Sequence, residues 1–402
     1  MARDVVIVGG GLGGATLGMN LAIAGMDVLI IERESKFRDR IRGELMCPWG
    51  IAEARTLGVY DLLLQSCASE LRDQEVVLAG AGSFTRDLVA TTPARAGTMH
   101  FLHSEMQEVL LNAAEKSGAT VFRGSRASAV EQGEKPKLRY HAADSGAGEA
   151  TARLIIAADG RASAFRAWGG FACERDPDRM QIAGVLLSGL KAPADRTQLL
   201  VNTQRGEFVG IVPLPNGMHR TYYAHHKAGP AGGAPLTGQR SMRRFIEYAV
   251  AAGVPADVFA NFEQASPLAS FDGADSWVEH PHKDGVVLVG DAAASSDPTH
   301  GCGLSLTLRS VRLLRDALLQ MDDWRKAAEA YARLQTANAA SLRRITGWLT
   351  DLWYERGAEA DRLRAKALPI HAMEPDRVPD FVGLGPDCKS DEQARMRFFC
   401  EA

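Results

Sequence analysis

Three short apolar runs, far apart in the chain, share one pattern. Each run ends in a turn that contains glycine, with or without aspartate. Apolar residues at helical spacing follow the turn. The runs are Val5 to Val8, Leu154 to Ala158 and the segment that follows Gly285. A short continuous apolar run between turn residues is typical of a strand buried in a parallel sheet. In an open parallel sheet the turns at the carboxyl ends of such strands meet at one crevice, so the pattern predicts an α/β fold with these turns together.

The first of these turns has the spacing GxGxxG. Gly9 makes the tight turn, Gly11 lets a diphosphate approach the backbone, and Gly14 lets the following helix pack on the strand. A helix is predicted from Ala15 to Ala24, and its N-terminal N–H groups favour an anion. The next strand ends at Glu32, where an acid can accept hydrogen bonds from a ribose diol. The segment predicts a bound dinucleotide, and NAD and FAD are not separated by this motif.

The pattern changes between residues 172 and 280, where longer strand-like runs alternate with turns. Arg205-Gly206 and Asn216-Gly217 lie between such runs, and Asn-Gly is a strong hairpin signal. We expect an antiparallel sheet here, joined by strands from the segment near residue 80. From Asp322 onward the spacing predicts one or two long helices, followed by an extended tail from Pro369. An apolar patch on the helix is expected to pack within the chain or to serve a dimer or a membrane surface: Trp348, Leu349, Leu352 and Trp353.

Composition narrows the function classes. The 402 residues are 46% hydrophobic and 24% charged with a net charge of −3, which is typical of a globular protein and does not favour nucleic acid. No apolar run reaches the roughly 18 residues that span a bilayer, and no cleavage site follows the N-terminus. The six cysteines form no CxxC pair, so we expect a cytoplasmic chain with reduced thiols.

The second and third turns make a family resemblance specific. The chain carries "GGGLGG", then "DGRASAFR" from Asp159, then "GDAAASSDPTHGCG" from Gly290. In this order these motifs resemble the class A FAD-dependent monooxygenases, the para-hydroxybenzoate hydroxylase group. The resemblance implies an α/β fold: a Rossmann-like FAD-binding domain with the GxGxxG motif, an inserted antiparallel β-sheet substrate domain and a C-terminal helical segment. The implied domains are residues 1–75, 98–170 and 281–320 for FAD, 76–97 and 171–280 for substrate, and 321–402 for the C-terminal helices and tail.

The same resemblance implies the cofactor contacts. Glu32 and the first glycines would bind the ADP half of FAD, Asp291 the ribityl chain, and Pro298 to Leu304 would line the flavin ring. The implied residues are Gly9, Gly11, Leu12, Gly13, Gly14, Glu32, Arg33, Arg40, Arg42, His103, Asp159, Gly160, Asp291, Pro298, Gly301, Gly303 and Leu304. One departure is His103, which stands where the family often has arginine, so its charge would depend on pH.

The chemistry implied is hydroxylation of an aromatic or other electron-rich small molecule through a flavin C4a-hydroperoxide, with NAD(P)H as reductant and O2 as oxidant. Candidate general bases are His225, Tyr222 and His300. Candidate substrate contacts are Met46, Trp49, Phe208, Tyr223 and Pro298. The histidines of the predicted sheet lack an acid that would complete a ligand set, so no metal is expected.

Other interpretations remain open at this point. A reductase of the geranylgeranyl-reductase type shares the cofactor motifs, and so would a flavin-binding protein without turnover. A flavin halogenase is disfavoured because the chain has no Trp-x-Trp. The expected partners are a small, aromatic substrate and O2, without nucleic acid or an integral membrane segment. A homodimer and a separate flavin reductase both stay open.

Overall fold

A mostly parallel sheet forms the centre of the N-terminal half in the computed structural model, which describes residues 2–41, 43–80, 82–143 and 146–401. Its neighbouring strands are, in order, His282–Lys283, Val286–Leu288, Gly146–Ala157, Ala2–Val8, Val28–Ile31 and Thr120–Phe122. All pairs are parallel except the first. Val8 lies opposite Ile31 on one side and Ala157 on the other, and Ala157 lies opposite Leu288. The turns that follow these strands therefore start side by side.

Both faces of this sheet are covered, because successive strand residues point to opposite sides. Val5 and Ile7 pack with the helices Leu12–Ile23, His103–Lys116 and Gly303–Gln320. Val6 and Val8 pack instead with an antiparallel layer made by Arg126–Glu131, Lys137–Ala142 and the first half of Gly146–Ala157. The first helix was predicted to begin at Ala15. It begins three residues earlier, at Leu12, directly after the glycine turn.

A second sheet of eight strands stands over the carboxyl ends of the first. Its order is Glu263–Gln264, Met180–Ser188, His219–His226, Glu207–Pro213, Arg196–Asn202, Asp73–Leu78 and Gly82–Asp87, with Ala269–Asp272 also paired to Met180–Ser188. The pairs are antiparallel, apart from the parallel pair formed by Asp73–Leu78 and Arg196–Asn202. The two predicted hairpin turns are present, with Gly206 and Gly217 at positive φ (+65° and +77°). The strands near residue 80 join this sheet, as expected.

One face of the second sheet is packed and the other is open. The helix Met242–Ala252 covers the packed face with Phe245 and Ala249 against Val185, Val209 and Tyr223. The opposite face looks toward the first sheet and bounds a cavity.

Shorter elements join these layers. Two three-stranded sheets consist of Leu45–Met46, Ala68–Leu71 and Thr98–Phe101, and of Glu174–Arg175, Ser276–Trp277 and Ala294–Ser295. The remaining short α-helices in this part are Pro48–Thr56, Tyr60–Ser66, Leu88–Thr91 and Ala164–Trp168. The 3₁₀ turns are Gln239–Ser241, Ala256–Phe259, Gly290–Ala292, Pro298–His300, Pro375–Arg377 and Gly385–Asp387.

The C-terminal region is helical, which corrects the prediction of an extended tail. The helices are Trp324–Trp353, Ala358–Met373, Phe381–Leu384 and Glu392–Phe398. Pro369 lies inside one of them, although proline removes a helical hydrogen bond. The C-terminal helices are packed because Ala367, Trp348 and Phe398 belong to one apolar cluster. The largely polar composition of the tail did not indicate this cluster. The patch around Trp348 is therefore packed within the chain. No helix among the described residues is both long and apolar enough to cross a membrane.

Candidate functional site

One large cavity runs from the glycine turn of the first sheet to the open face of the second. Its volume is about 1680 Å³, larger than the roughly 300–1,000 Å³ of an ordinary ligand pocket. Space of this size can hold a dinucleotide cofactor together with a second molecule. Residues 353–382 of the C-terminal region supply much of the far wall.

Close packing of backbone on backbone requires glycine at two positions of the first turn. Gly9 has φ +102°, and a Cβ there would lie 2.3 Å from the carbonyl oxygen of Ala158. A Cβ on Gly14 would lie 1.9 Å from the carbonyl oxygen of Gly9, so Gly14 lets the helix sit on the strand. Gly9, Gly11, Leu12 and Gly13 line the cavity, whereas Gly14 lies behind it.

The end of the second strand shapes the next part of the cavity. Glu32 is 5% exposed, and its carboxylate accepts hydrogen bonds from the N–H groups of Gly10 (2.6 Å) and Glu34 (2.8 Å). The carboxylate is thereby fixed at the cavity wall. Arg33 and Arg40 also line this wall, and Arg40 pairs with Glu34 at 2.7 Å. Arg42 lies outside the described residues.

His103 stands at the start of its helix, where the sequence places it. Its Nδ1 lies 2.9 Å from the carbonyl oxygen of Gly43, and the ring reaches the cavity wall. His103 is thus placed for a cofactor contact, and that role stays a prediction.

A single arginine joins the other two motifs. Arg166 donates hydrogen bonds to the carbonyl oxygens of Asp291 (2.6 Å) and Ala292 (2.9 Å). Asp159 accepts a hydrogen bond from the N–H of Ala164 (2.8 Å), which caps the short helix that carries Arg166. Asp159, Gly160 and Asp291 all line the cavity. The spacing "DGxxSxxR" therefore has a structural reason, since the aspartate starts the helix and the arginine reaches the third turn.

The loop after the third strand closes the cofactor side of the cavity. Asp297 accepts hydrogen bonds from the backbone N–H (2.9 Å) and hydroxyl (2.7 Å) of Thr299. Gly301 has φ +68° and permits the turn into the helix Gly303–Gln320. Pro298, Gly301, Gly303 and Leu304 line the cavity, and their contact with a flavin stays a prediction.

Two acidic groups lie together behind this loop. Asp297 donates its backbone N–H to Oδ1 of Asp275 at 2.6 Å. Burial raises the pKa of Asp297 to about 6. Burial, followed by the charge of Asp297, raises the pKa of Asp275 to about 8. The loop is therefore held partly by a carboxyl that carries a proton at neutral pH.

The residues fit a flavin dinucleotide. In the described residues no side chain caps the helix Leu12–Ile23 at Gly11 or the helix Gly303–Gln320 at Cys302. Two helix N-termini thus keep N–H groups for a ligand, one at the turn suited to a diphosphate and one at the loop suited to an anionic ring. Glu32 and Asp291 both line the cavity, and their contacts with the ribose and the ribityl chain stay predictions.

The open face of the second sheet forms the other half of the cavity. Phe208 and Tyr222 line it, and a contact between Phe208 and a substrate stays a prediction. Its other apolar lining residues include Val76, Leu78, Ile182, Leu199, Val201, Val212, Ala224, Trp353 and Phe381. This half can exclude water from a reacting centre. Trp353 and Phe381 were missed because their segment was expected to pack elsewhere.

Four candidate residues lie away from the cavity, which corrects their predicted roles. Tyr223 and His225 point to the packed face, because they alternate with Tyr222 and Ala224 along the strand. Tyr223 donates to Glu207 (3.0 Å), and His225 Nε2 donates to the carbonyl of Gly232 (2.7 Å). Met46 is fully buried in the core beneath the first sheet's helices, and Trp49 packs in a separate cluster at 3% exposure.

His300 lines the cavity but has a restricted role. Its Nε2 lies 3.0 Å from the hydroxyl of Thr350, and burial lowers its pKa to about 3. The ring is therefore neutral near pH 7 and can only exchange hydrogen bonds. A separate group of His280, His282 and Glu329 brings its ligand atoms within 4.8 Å of one another, but these residues do not line the cavity.

Comparisons with known proteins agree with this geometry. The family described as FAD binding domain matches residues 2–338. Squalene monooxygenase SE2 of Panax ginseng is 25% identical over 406 residues, covering 96% of this chain and 70% of that protein. Rifampicin monooxygenase of Streptomyces venezuelae is 27% identical over 340 residues, covering 81% of this chain and 64% of that protein.

Solved structures share the fold. That of p-nitrophenol 4-monooxygenase from Pseudomonas putida DLL-E4 superposes with a TM-score of 0.78 at 16% identity, covering 100% of this chain and 97% of the other. The motif order, the cavity and the match over residues 2–338 concur. The chain belongs to the FAD-binding family of class A flavoprotein monooxygenases.

Proposed function

We propose that the chain uses FAD, NAD(P)H and O2 to hydroxylate an aromatic or other electron-rich small molecule. The observation that carries the proposal is the single cavity that joins the cofactor turns to the apolar face of the second sheet. Reduced FAD supplies the activation of O2 when it is bound. The chain supplies the rest: the glycine turn and Glu32 bind the nucleotide, the loop from Pro298 to Leu304 orients the ring, and the apolar wall excludes water.

The apolar wall matters for the outcome of the reaction. Water that reaches an activated oxygen species diverts it to hydrogen peroxide, so a dry chamber favours transfer to the substrate. The neutral ring of His300 and the side chain of Tyr222 are polar groups on this wall that can orient a substrate.

The test is NAD(P)H oxidation by the FAD-loaded protein with a panel of aromatic compounds and isotopically labelled O2. We expect the label in the organic product and NAD(P)H consumption that matches product formation. A reductase would instead saturate a double bond without labelled oxygen. A flavin-binding protein without turnover would retain yellow cofactor and give neither product, and either result would overturn the proposal.

We further propose three domains. Residues 1–75, 98–170 and 281–320 form the FAD-binding domain, and residues 76–97 and 171–280 form the substrate-binding domain. Residues 321–402 form the C-terminal helical region, which completes the cavity. We propose a cytoplasmic site of action, which the six free cysteines support.

The hydroxylation assay, run with and without an added flavin reductase, shows whether NAD(P)H reduces this protein directly. Light scattering of the purified protein tests for a homodimer.

A further inference from the structure

Two histidines and a glutamate meet at the edge of the first sheet, outside the cavity. His280 and His282 stand at the start of the edge strand His282–Lys283, and Glu329 lies on the helix Trp324–Trp353. One ligand atom from each of the three residues lies within 4.8 Å of the other two. We call these three side chains the edge cluster.

The backbone directs both histidines of the edge cluster to the same side. Proline favours an extended conformation in the residue before it, so Pro281 extends the chain at His280. Alternate residues of an extended chain point to one face, which brings the two imidazoles together. Their centroids are 6.5 Å apart. The segment is fixed in the sheet, since His282 pairs with Val287 and the carbonyl oxygen of Pro281 accepts the N–H of Leu288 at 2.9 Å.

The helix presents one carboxylate to both rings. Oε1 of Glu329 lies 2.9 Å from Nδ1 of His282, and Oε2 lies 3.1 Å from Nε2 of His280. Two turns further along the helix, the hydroxyl of Thr336 donates to the carbonyl oxygen of Glu279 at 2.6 Å and holds the helix against this segment. No local pattern indicates the edge cluster, because Glu329 lies 47 residues from His282.

The donor set of the edge cluster suits a divalent transition metal. Imidazole nitrogen binds Zn²⁺, Ni²⁺ and Cu²⁺, whereas Mg²⁺ and Ca²⁺ prefer oxygen ligands. Zinc lies about 2.0–2.2 Å from nitrogen and carboxylate oxygen, which sets the ligand atoms of a tetrahedral site about 3.4 Å apart. The contacts of 2.9 and 3.1 Å are close to that spacing, so small side-chain rotations make room for an ion. His280 and Glu329 are 55% and 42% exposed, so a water molecule can supply the fourth ligand.

His282 limits how tightly an ion binds. Its side chain is 6% exposed, and its Nε2 has no hydrogen-bond partner among the described residues. A neutral ring that gives the lone pair of Nδ1 to a metal carries its proton on Nε2. Metal-binding histidines usually donate that second proton to an acceptor, which strengthens the site. We therefore expect an affinity in the micromolar range rather than that of a fully supported zinc site.

We propose that His280, His282 and Glu329 bind a divalent transition metal, with Zn²⁺ as the best match, and that the ion joins the edge of the first sheet to the long C-terminal helix. A ligand that binds the folded state alone stabilises it, so the ion raises the melting temperature. The ion takes no part in the proposed hydroxylation, because the edge cluster lies outside the cavity.

Calorimetric titration of the tag-free, FAD-loaded protein with ZnCl₂ tests the proposal. We expect saturable binding at one site per chain and a higher melting temperature with Zn²⁺, and neither effect with Mg²⁺. His280→Ala should weaken Zn²⁺ binding by more than about tenfold, since loss of a ligand costs at least as much as loss of an outer partner. His141→Ala is the matched control, because His141 is also exposed and is not part of the edge cluster.

Glu329→Gln separates a metal site from a hydrogen-bonded contact. The amide can still form hydrogen bonds with the two rings but has no charge, so Zn²⁺ binding should fall while the melting temperature in EDTA stays near that of wild type. FAD content and this melting temperature show whether each variant is folded.

Two results would overturn the metal site. Wild-type protein that shows no saturable Zn²⁺ binding would leave the edge cluster as a hydrogen-bonded contact only, even where variants fail to fold. Zn²⁺ binding that is unchanged in folded His280→Ala and Glu329→Gln would mark adventitious binding elsewhere. Neither result bears on hydroxylation, which the assay with labelled O2 tests separately.

Discussion

Single glycines determine how closely the cofactor-binding elements approach one another. Gly14 and Gly347 both lie inside helices, but their surroundings differ. A Cβ at Gly14 would be 1.9 Å from the carbonyl oxygen of Gly9, whereas nothing lies within 4 Å of a Cβ at Gly347. The same residue type is thus required at one position and optional at the other.

Gly14→Ala should therefore destabilise the protein and weaken FAD binding, because backbone atoms cannot move aside as a flexible side chain can. Gly347→Ala should raise stability by up to about 1 kcal/mol through helix propensity alone. Thermal melting with and without added FAD measures both effects. Equal behaviour of the two variants would contradict the assigned packing role of Gly14.

The acid pair Asp275 and Asp297, which lies behind the loop from Pro298 to Leu304, makes stability depend on pH. The pKa of Asp275 is raised in the folded protein to about 8, so the folded state holds this proton more tightly than the unfolded state. Its contribution is fully present below the unfolded pKa and is lost as pH rises through the folded value. Asp275→Asn does not titrate, and its oxygen can still accept the N–H of Asp297.

The melting temperature of Asp275→Asn relative to wild type should therefore rise between about pH 4 and about pH 8. Asp195→Asn is the control, since that side chain is 77% exposed, and its difference from wild type should stay flat. A pH-independent difference for Asp275→Asn would show that the carboxyl is not desolvated in the folded protein.

At the scale of elements, the cofactor half was predictable because its motifs are local. Each strand, turn and helix is contiguous, and the order of the parallel strands brings the turns together. The face of the second sheet was less predictable. Tyr222 and Tyr223 are neighbours of the same type, and only the strand's register and its covering helix decide which one reaches the cavity. The hydroxyl of Tyr222 donates a hydrogen bond to the carboxylate of Glu44, 178 residues away in the chain, and no local pattern indicates this contact.

The short helix Ala164–Trp168 connects two motifs through one side chain. Arg166→Lys keeps the positive charge but cannot bond both carbonyl oxygens of Asp291 and Ala292 with the same planar geometry. We expect FAD affinity to fall by about tenfold with little change in folding. Arg243→Lys, at a side chain 89% exposed, is the control. Titration of the apo-protein with FAD gives the comparison, and unchanged affinity in Arg166→Lys would argue against this connection.

At the scale of the whole molecule, the cavity is closed by two segments that lie 294 residues apart in the chain. Arg86, on the edge strand Gly82–Asp87, forms two hydrogen bonds to Asp380, at 2.7 Å and 2.9 Å. Asp380 in turn caps the helix Phe381–Leu384 through the N–H of Gly383 (3.0 Å). The sequence did not reveal this closure, since proline and aspartate near residue 375 favoured an extended tail over a packed wall.

Arg86→Met removes the ion pair but keeps the cap of Asp380. The C-terminal wall should loosen and admit water, so the share of NAD(P)H oxidation that ends as hydrogen peroxide should rise while FAD retention stays unchanged. Arg72→Met is the matched control. Arg72 also forms an ion pair, with Asp87 on the same hairpin, but the Arg72 side chain is 61% exposed. Equal peroxide yields from the two variants would show that the ion pair does not seal the cavity.

The position of that wall in the chain also has a consequence for biosynthesis. All the cofactor turns lie before residue 305, whereas the far wall comes from residues 353–382. On the ribosome, the nucleotide site can be translated and folded while the wall is still within the exit tunnel. A nascent protein that acquired flavin at this stage would lack the wall that excludes water, so we expect its oxidation of NAD(P)H to end as hydrogen peroxide.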